Sequence, residues 1–198
     1  ATEICEAAAL SVLSFNVLLP HAWWVPKYYD PNQPDSIWQW EHRRKLLQQQ
    51  LCSAPFDVLA LQEINPQSFE ADFSYLWSDY EGFHHHRSRI SSALCWRRER
   101  FRCLEKHHLD RCVVALLEDN SGIKWAIASA HLSAGAQPRR RLQQVAGVLK
   151  RFARIAQVHS ISGLVIAGDM NSSCNQTAVT KLLREGCVTP AYREPEFP

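Results

Sequence analysis

The chain has 198 residues, 46% hydrophobic and 21% charged, with a formal net charge of +2, which excludes a wholly disordered chain and leaves room for one domain with a substantial core. No apolar run reaches the ~18 residues of a membrane span, and the first basic residue is Lys27, so the Ala-rich start lacks the charged lead-in of a secretory signal. Seven cysteines without a Cys-x-x-Cys pair argue against a zinc ribbon or a complete disulfide framework and favour reduced thiols in a cytoplasmic or nuclear setting.

Leu10 to Leu18 reads as a strand, broken by Pro20 and followed by a loop whose Trp23, Trp24, Tyr28 and Tyr29 could stack a base or pack as a lid. Asp35 or Ser36 can cap a helix from Ile37 to about Leu51, in which Ile37, Trp40, Leu47 and Leu51 recur at helical spacing. Asp57 to Leu61 has the apolar continuity of a central strand. Pro66 opens a second helix, with Phe69, Phe73, Leu76 and Trp77 on one stripe, and Gly82 marks a turn. Four strands follow, at roughly 83–88, 92–97, 101–107 and 111–118, and the turn Asp119 to Gly122 leads into a strand from Ile123 to Ala130. Cys52, Cys95, Cys103 and Cys112 lie in apolar or strand-like surroundings and are expected to be buried. Pro138 begins the longest helix, to about Gln157; a strand from Leu164 to Ala167 and a helix from about Thr177 to Arg184, ended by Gly186, complete the pattern.

Strand-helix alternation at both ends, with consecutive strands between, predicts an α/β (α+β) protein whose sheets are covered by helices. No repeat or linker divides residues 1–198, which read as a single domain. The chain begins without Met and stops in a loop, so it is expected to be a piece of something longer.

Four polar motifs fall at strand ends, where α/β proteins place their chemistry. Glu63 follows a buried run, so its carboxylate should emerge where it can hold a divalent cation; standing alone it would be a surface residue. Asn16 ends the first strand and can orient Glu63, a water or a phosphate oxygen, or simply form a turn. His131 could donate, as an imidazolium, to a phosphoryl oxygen. Asp169 could orient or deprotonate a water while Asn171 donates to phosphate. Gln62 is expected to brace loops by hydrogen bonding. His84, His85 and His86 suggest a metal site, but neighbouring strand residues point to opposite faces, and a surface strand is favoured.

No acidic residue lies between Asn120 and Gly168, whereas Lys124, Arg139, Arg140, Arg141, Lys150, Arg151 and Arg154 do. Such a field suits a phosphate-rich partner, with nucleic acid favoured; Arg139, Arg140 and Arg141, near His131, are the candidate substrate-binding residues. A solvated helix face accounts equally well for Lys150, Arg151 and Arg154.

From Leu13 to about Arg193 the chain resembles the endonuclease/exonuclease/phosphatase superfamily. The resemblance rests on Ser14-Phe-Asn16-Val-Leu-Leu, Asp57-Val-Leu-Ala-Leu-Gln-Glu63, Ala130-His131-Leu and Gly168-Asp169-Met-Asn171-Ser. Trp40-Glu-His-Arg43-Arg-Lys-Leu is similar to the branch containing poly(A) deadenylases. The resemblance implies a four-layered α/β/β/α sandwich of the deoxyribonuclease I-like type, lacking its last strands. It implies Mg²⁺ (or Mn²⁺) on Glu63 with Asn16 beside it, Asp169 and Asn171 at the water and phosphate, His131 on the phosphoryl oxygens, and in-line hydrolysis of a phosphate ester.

The family pattern ends with a strand bearing Asp and a Ser-Asp-His-like segment, and nothing after Asn171 supplies that histidine; the last one is His159. A chain that stops early, a site completed by a partner or later segment, or an inactive form would each account for this. The readings that follow are a metal-dependent phosphodiesterase or phosphatase and a noncatalytic nucleic-acid-binding module. A purely structural interaction protein leaves the four motifs unexplained.

Overall fold

The computed structural model describes residues 9–19, 34–86, 90–172, 178–186 and 188. Two four-stranded sheets are stacked face to face. The first holds β1 (Val12–Asn16), β2 (Val58–Ile64), β3 (Tyr80–His84) and β4 (Ser91–Arg97), in the order β1-β2-β4-β3. The second holds β5 (Phe101–Leu109), β6 (Cys112–Asp119), β7 (Lys124–His131) and β8 (Gly163–Asp169), in sequence order. The β1–β2 and β7–β8 pairs are parallel and the others antiparallel, so β1, β2, β7 and β8 all deliver their carboxyl ends to one rim.

Strand alternation sorts the apolar residues into three layers. Val58, Ala60, Leu94 and Trp96 meet Val113, Ala115, Leu117 and Ile127 between the sheets. Leu59 and Leu61 face the other way, onto α1 (Trp40–Leu51) and the short α2 (Phe69–Asp72). Ala126, Ala128 and Ala130 face α3 (Pro138–Val158), which buries Val145, Val148, Phe152 and Ile155, and α4 (Ala178–Glu185) lies beside it. This is the expected α/β/β/α order of layers.

Several local expectations are corrected. The helix expected from Pro66 is one turn at Phe69–Asp72 followed by a 3-10 turn at Ser74–Leu76. Asn65 Oδ1 accepts from Gln67 N at 3.1 Å, a side-chain-stabilised turn that delays the start. Phe69, Phe73 and Leu76 are nonetheless buried as their spacing required. Gly82 lies inside β3 rather than at a turn: a Cβ there would come within 2.9 Å of the Trp77 ring, so the glycine is what lets that ring pack on the strand. β1 stops at Asn16, and Leu18 adopts φ +54°. Cys52 is exposed, because it caps α1 at its carboxyl end where the chain turns outward; Cys95 and Cys112 are buried and Cys103 partly so. Asp35 and Ser36 open a 3-10 turn ahead of α1, whose cap position is Gln39; a capping role for the Asp35 or Ser36 side chain lies outside what is described, as does the loop of Trp23, Trp24, Tyr28 and Tyr29. His84 packs on Phe69 with ring centroids 4.8 Å apart, whereas His85 and His86 meet His108. Among the described residues no group of three or more His, Cys, Asp or Glu side chains is placed to hold a metal.

Asp57 anchors the start of β2. Its Oδ2 accepts from Ser11 N at 2.7 Å and Ser11 Oγ at 2.8 Å, and its Oδ1 lies 2.6 Å from Arg100 Nη1. Burial pushes the carboxyl pKa up, but the Ser11 bonds and the Arg100 charge outweigh it and the net shift is downward. A carboxyl lowered in the folded state contributes stability above the ordinary carboxylate range, and that contribution disappears as pH falls through the lowered value. Asp57→Ala should therefore cost about 2–4 kcal/mol at pH 7, with the gap to wild type closing in denaturant titrations repeated at progressively acid pH.

Candidate active site

Asn16, Glu63, His131 and Asp169 meet at the rim where β1, β2, β7 and β8 end. Asn16 and Gln62 are register partners, as are His131 and Asp169, which fixes the first two strand ends and the last two as pairs. Glu63 escapes the regular ladder. The β2–β4 register slips between Leu61 and Ile64, and Glu63 sits in this bulge at φ +59°. A bulge redirects a side chain that regular pleating would bury against helices.

The Asn16 amide joins the two carboxylates: its Nδ2 donates to Glu63 Oε1 at 3.0 Å and to Asp169 Oδ2 at 3.2 Å, while its Oδ1 accepts from Leu18 N at 2.9 Å. His131 Nε2 lies 3.7 Å from Glu63 Oε1 and 3.9 Å from Asp169 Oδ2, outside hydrogen-bond range of both. Asp169 Oδ1 accepts from Asn171 N at 2.9 Å, and Asn171 Nδ2 donates to Leu132 O at 2.9 Å, which occupies one of its two amide hydrogens. Asn171 holds φ +46°, a left-handed conformation that Asn tolerates better than most residues.

Burial pushes the His131 pKa down; Glu63 and Asp169 pull it partly back, and Arg111 pushes it down further. The net shift is downward, which favours the neutral ring over the expected imidazolium, and a neutral imidazole still has one N–H to donate.

Glu63 Oε2 is buried and has no hydrogen-bond partner. A bare carboxylate oxygen beside a second carboxylate is costly unless a cation completes it. The donors are hard oxygens on one or two carboxylates, the set with which Mg²⁺ binds while keeping water and substrate oxygens. The residues present fit such a cation.

Surrounding elements hold this rim. Arg43 Nη2 on α1 donates to the Val17 and Leu18 carbonyls, fixing the chain just past Asn16, and Trp40 Nε1 donates to Asp72 Oδ1 at 2.8 Å. The loop after His131 is clamped by α3. Buried Gln144 accepts from Ser133 N at 3.0 Å, and Arg141 Nη1 donates to Ser133 O at 2.9 Å and Gly135 O at 2.7 Å.

A cavity of about 340 Å³ opens beside His131, lined by Arg111 and Arg140 together with His85, Ser91, Ser92 and Asp110. The three candidate arginines therefore separate. Arg140 lines the cavity and lies 3.5 Å from Asp110 Oδ2, Arg141 is engaged by loop carbonyls, and Arg139 is exposed. Sequence reasoning missed Arg111, His85 and Ser92 as cavity residues. The available signal was Arg111 itself, which follows Asp110 in the β5–β6 turn at φ +57°, where Gly or Asn is usual.

The sequence profile described as the Endonuclease/Exonuclease/phosphatase family matches residues 13–195. Over 124 residues the chain is 27% identical to the CCR4-Not complex 3'-5'-exoribonuclease subunit Ccr4 of Saccharomyces cerevisiae, a match covering 56% of this chain and 14% of that protein. Among solved structures, the human Nocturnin catalytic domain superposes with a TM-score of 0.71 at 21% identity, covering 89% of this chain and 70% of that one. ANGEL2, a 2',3'-cyclic phosphatase, superposes with a TM-score of 0.75 at 20% identity, covering 88% of this chain and 56% of that one. The chain thus spans a seventh of the yeast protein it matches and little more than half of the ANGEL2 chain.

Proposed function

Because this chain belongs to the Endonuclease/Exonuclease/phosphatase family, a family of phosphoester hydrolases, we propose that its rim of Asn16, Glu63, His131, Asp169 and Asn171 is a Mg²⁺- or Mn²⁺-dependent centre for hydrolysing a phosphodiester of nucleic acid. The observation that carries this reading is the shared Asn16 amide, which brings two carboxylates 47 and 153 residues away in sequence to a single point, one of them with an unpartnered buried oxygen.

Glu63 would hold the cation, with Asn16 fixing the carboxylate's rotamer. The chemistry supplied by such a cation is polarisation of the phosphoryl group and compensation of charge on the departing oxygen. Asp169, oriented by Asn171 N and Asn16, presents a carboxylate to the attacking water. His131 donates its N–H to a phosphoryl oxygen, and the remaining amide hydrogen of Asn171 offers a second donor. Arg111 and Arg140 then take a neighbouring phosphate in the adjoining cavity.

This assignment is tested with the full-length protein carrying the chain and a labelled RNA or DNA oligonucleotide, with Mg²⁺ or with chelator. Cleavage that needs Mg²⁺ and is lost in Asp169→Ala is the expected result; cleavage unaffected by both would overturn it. Arg111→Ala should raise KM for an oligonucleotide by about tenfold at low salt, with a smaller effect at high salt and little change in kcat.

One observation favours a second reading, a nucleic-acid-binding module without turnover. Arg111 and Arg140 line the cavity beside the rim, a basic surface that can hold phosphate without turning it over, while His159 is held by Glu105 Oε1 at 2.7 Å between α3 and β5 and does not join the rim. Salt-sensitive oligonucleotide binding with no hydrolysis by the full-length protein would select this reading.

A further inference from the structure

The two sheets are separated by an apolar layer, except directly below the rim. There Gln62, 1% exposed, and Ser129, fully buried, face each other from β2 and β7. Gln62 Nε2 donates to Ser129 Oγ at 3.2 Å and to Ala60 O at 2.8 Å, and Ser129 Oγ donates to Leu61 O at 3.0 Å. Leu61 is the last residue before the bulge that turns Glu63 toward the rim. Ser129 lies two residues before His131 on the same face of β7, and Gln62 immediately precedes the bulged Glu63 on β2.

A polar pair placed in an otherwise apolar layer adds less stability than hydrophobic residues of equal volume would, unless every group is bonded. Here each bond crosses between the sheets or ends on the bulged strand. A shift of β2 against β7 would stretch Ser129 Oγ to Leu61 O and Gln62 Nε2 to Ser129 Oγ together. Gln62 therefore does more than brace a loop.

We propose that Ser129 is a positioning residue: through Leu61 O and Gln62 it locks the Glu63 bulge of the first sheet to the His131 strand of the second, and so sets the spacing at which Glu63 binds a divalent cation. This rests on the proposed cation centre. Loss of the lock lets the bulge relax toward a regular ladder, carrying the Glu63 carboxylate away from Asn16 and Asp169. Groups that orient a metal ligand change the affinity of the metal in this way.

The test measures Mn²⁺ affinity directly, by the loss of the free-ion EPR signal, on the full-length protein and on Ser129→Ala, Gln62→Met and Glu63→Gln, with thermal unfolding recorded without metal. Ser129→Ala should weaken Mn²⁺ binding about tenfold. Gln62→Met, which keeps the Ser129 to Leu61 bond, should weaken it by about threefold. If Ser129→Ala does not fold, Gln62→Met decides alone. Wild-type affinity in the folded Ser129→Ala, or in Gln62→Met when it is the deciding variant, while Glu63→Gln abolishes binding, overturns the positioning role and leaves the cation centre standing. Unchanged binding in Glu63→Gln overturns the cation centre itself, and the positioning role with it.

Discussion

Glu63→Gln should lower Mg²⁺-dependent phosphodiester hydrolysis by about 10³-fold while leaving the protein folded. The substitution keeps an oxygen able to accept from Asn16 Nδ2 but removes the charge on the buried oxygen that has no partner. For the same reason the metal-free variant should be at least as stable as wild type, and by up to about 1 kcal/mol more so, because an uncompensated buried charge is destabilising. Lost activity with equal or raised stability is the pattern of a ligand rather than a structural residue. Urea titrations with turnover measurements on the same samples check it, and retention of activity within a small factor of wild type would contradict the assignment of Glu63.

The second large effect is expected at Gly168, one residue before Asp169. It holds φ +145°, and an added Cβ would stand 1.9 Å from Ala130 O and 2.8 Å from Ala130 C on β7. Both are backbone atoms inside the β7–β8 ladder, where Ala130 and Gly168 are register partners, so no side-chain rotation relieves the clash. Gly168→Ala should cost more than about 4 kcal/mol or prevent soluble expression. Any folded fraction should be inactive, since separating the strands moves Asp169 from His131. Gly147→Ala on α3 is the control: nothing lies within 4 Å of its added Cβ, and Ala in a helix should stabilise by up to about 1 kcal/mol. Equal stabilities for the two variants in denaturant titrations would refute this account of the β7–β8 junction.

Much of this architecture can be read from residue order. The continuous apolar runs ending at Leu61 and spanning Cys112 to Leu117 report strands buried on both faces, and the spacing of Val145, Val148, Phe152 and Ile155 reports one helical stripe. The order of polar strand ends locates Asn16, Glu63, His131 and Asp169, and parallel pairing of β1 with β2 and of β7 with β8 brings them to one rim. The bulge at Glu63 is not legible, because Leu-Ala-Leu-Gln-Glu-Ile carries none of the glycines that usually mark one. The cavity is also hidden, since Arg111, Ser92 and Arg140 come from a hairpin turn, a strand and a helix whose proximity depends on the packing of the two sheets. Arg141 resembles its neighbours by charge alone; its engagement with Ser133 O and Gly135 O follows from helix phase. The downward shift of the His131 pKa comes from burial and from Arg111, both of which are tertiary facts.

Anomalous diffraction at the manganese edge, from crystals of the full-length protein soaked in Mn²⁺, addresses the cation centre most directly. The predicted result is a peak about 2.1 Å from a carboxylate oxygen of Glu63, on the side facing Asp169 and His131. Manganese bound elsewhere, with Glu63 and Asp169 still joined only through Asn16, would contradict it.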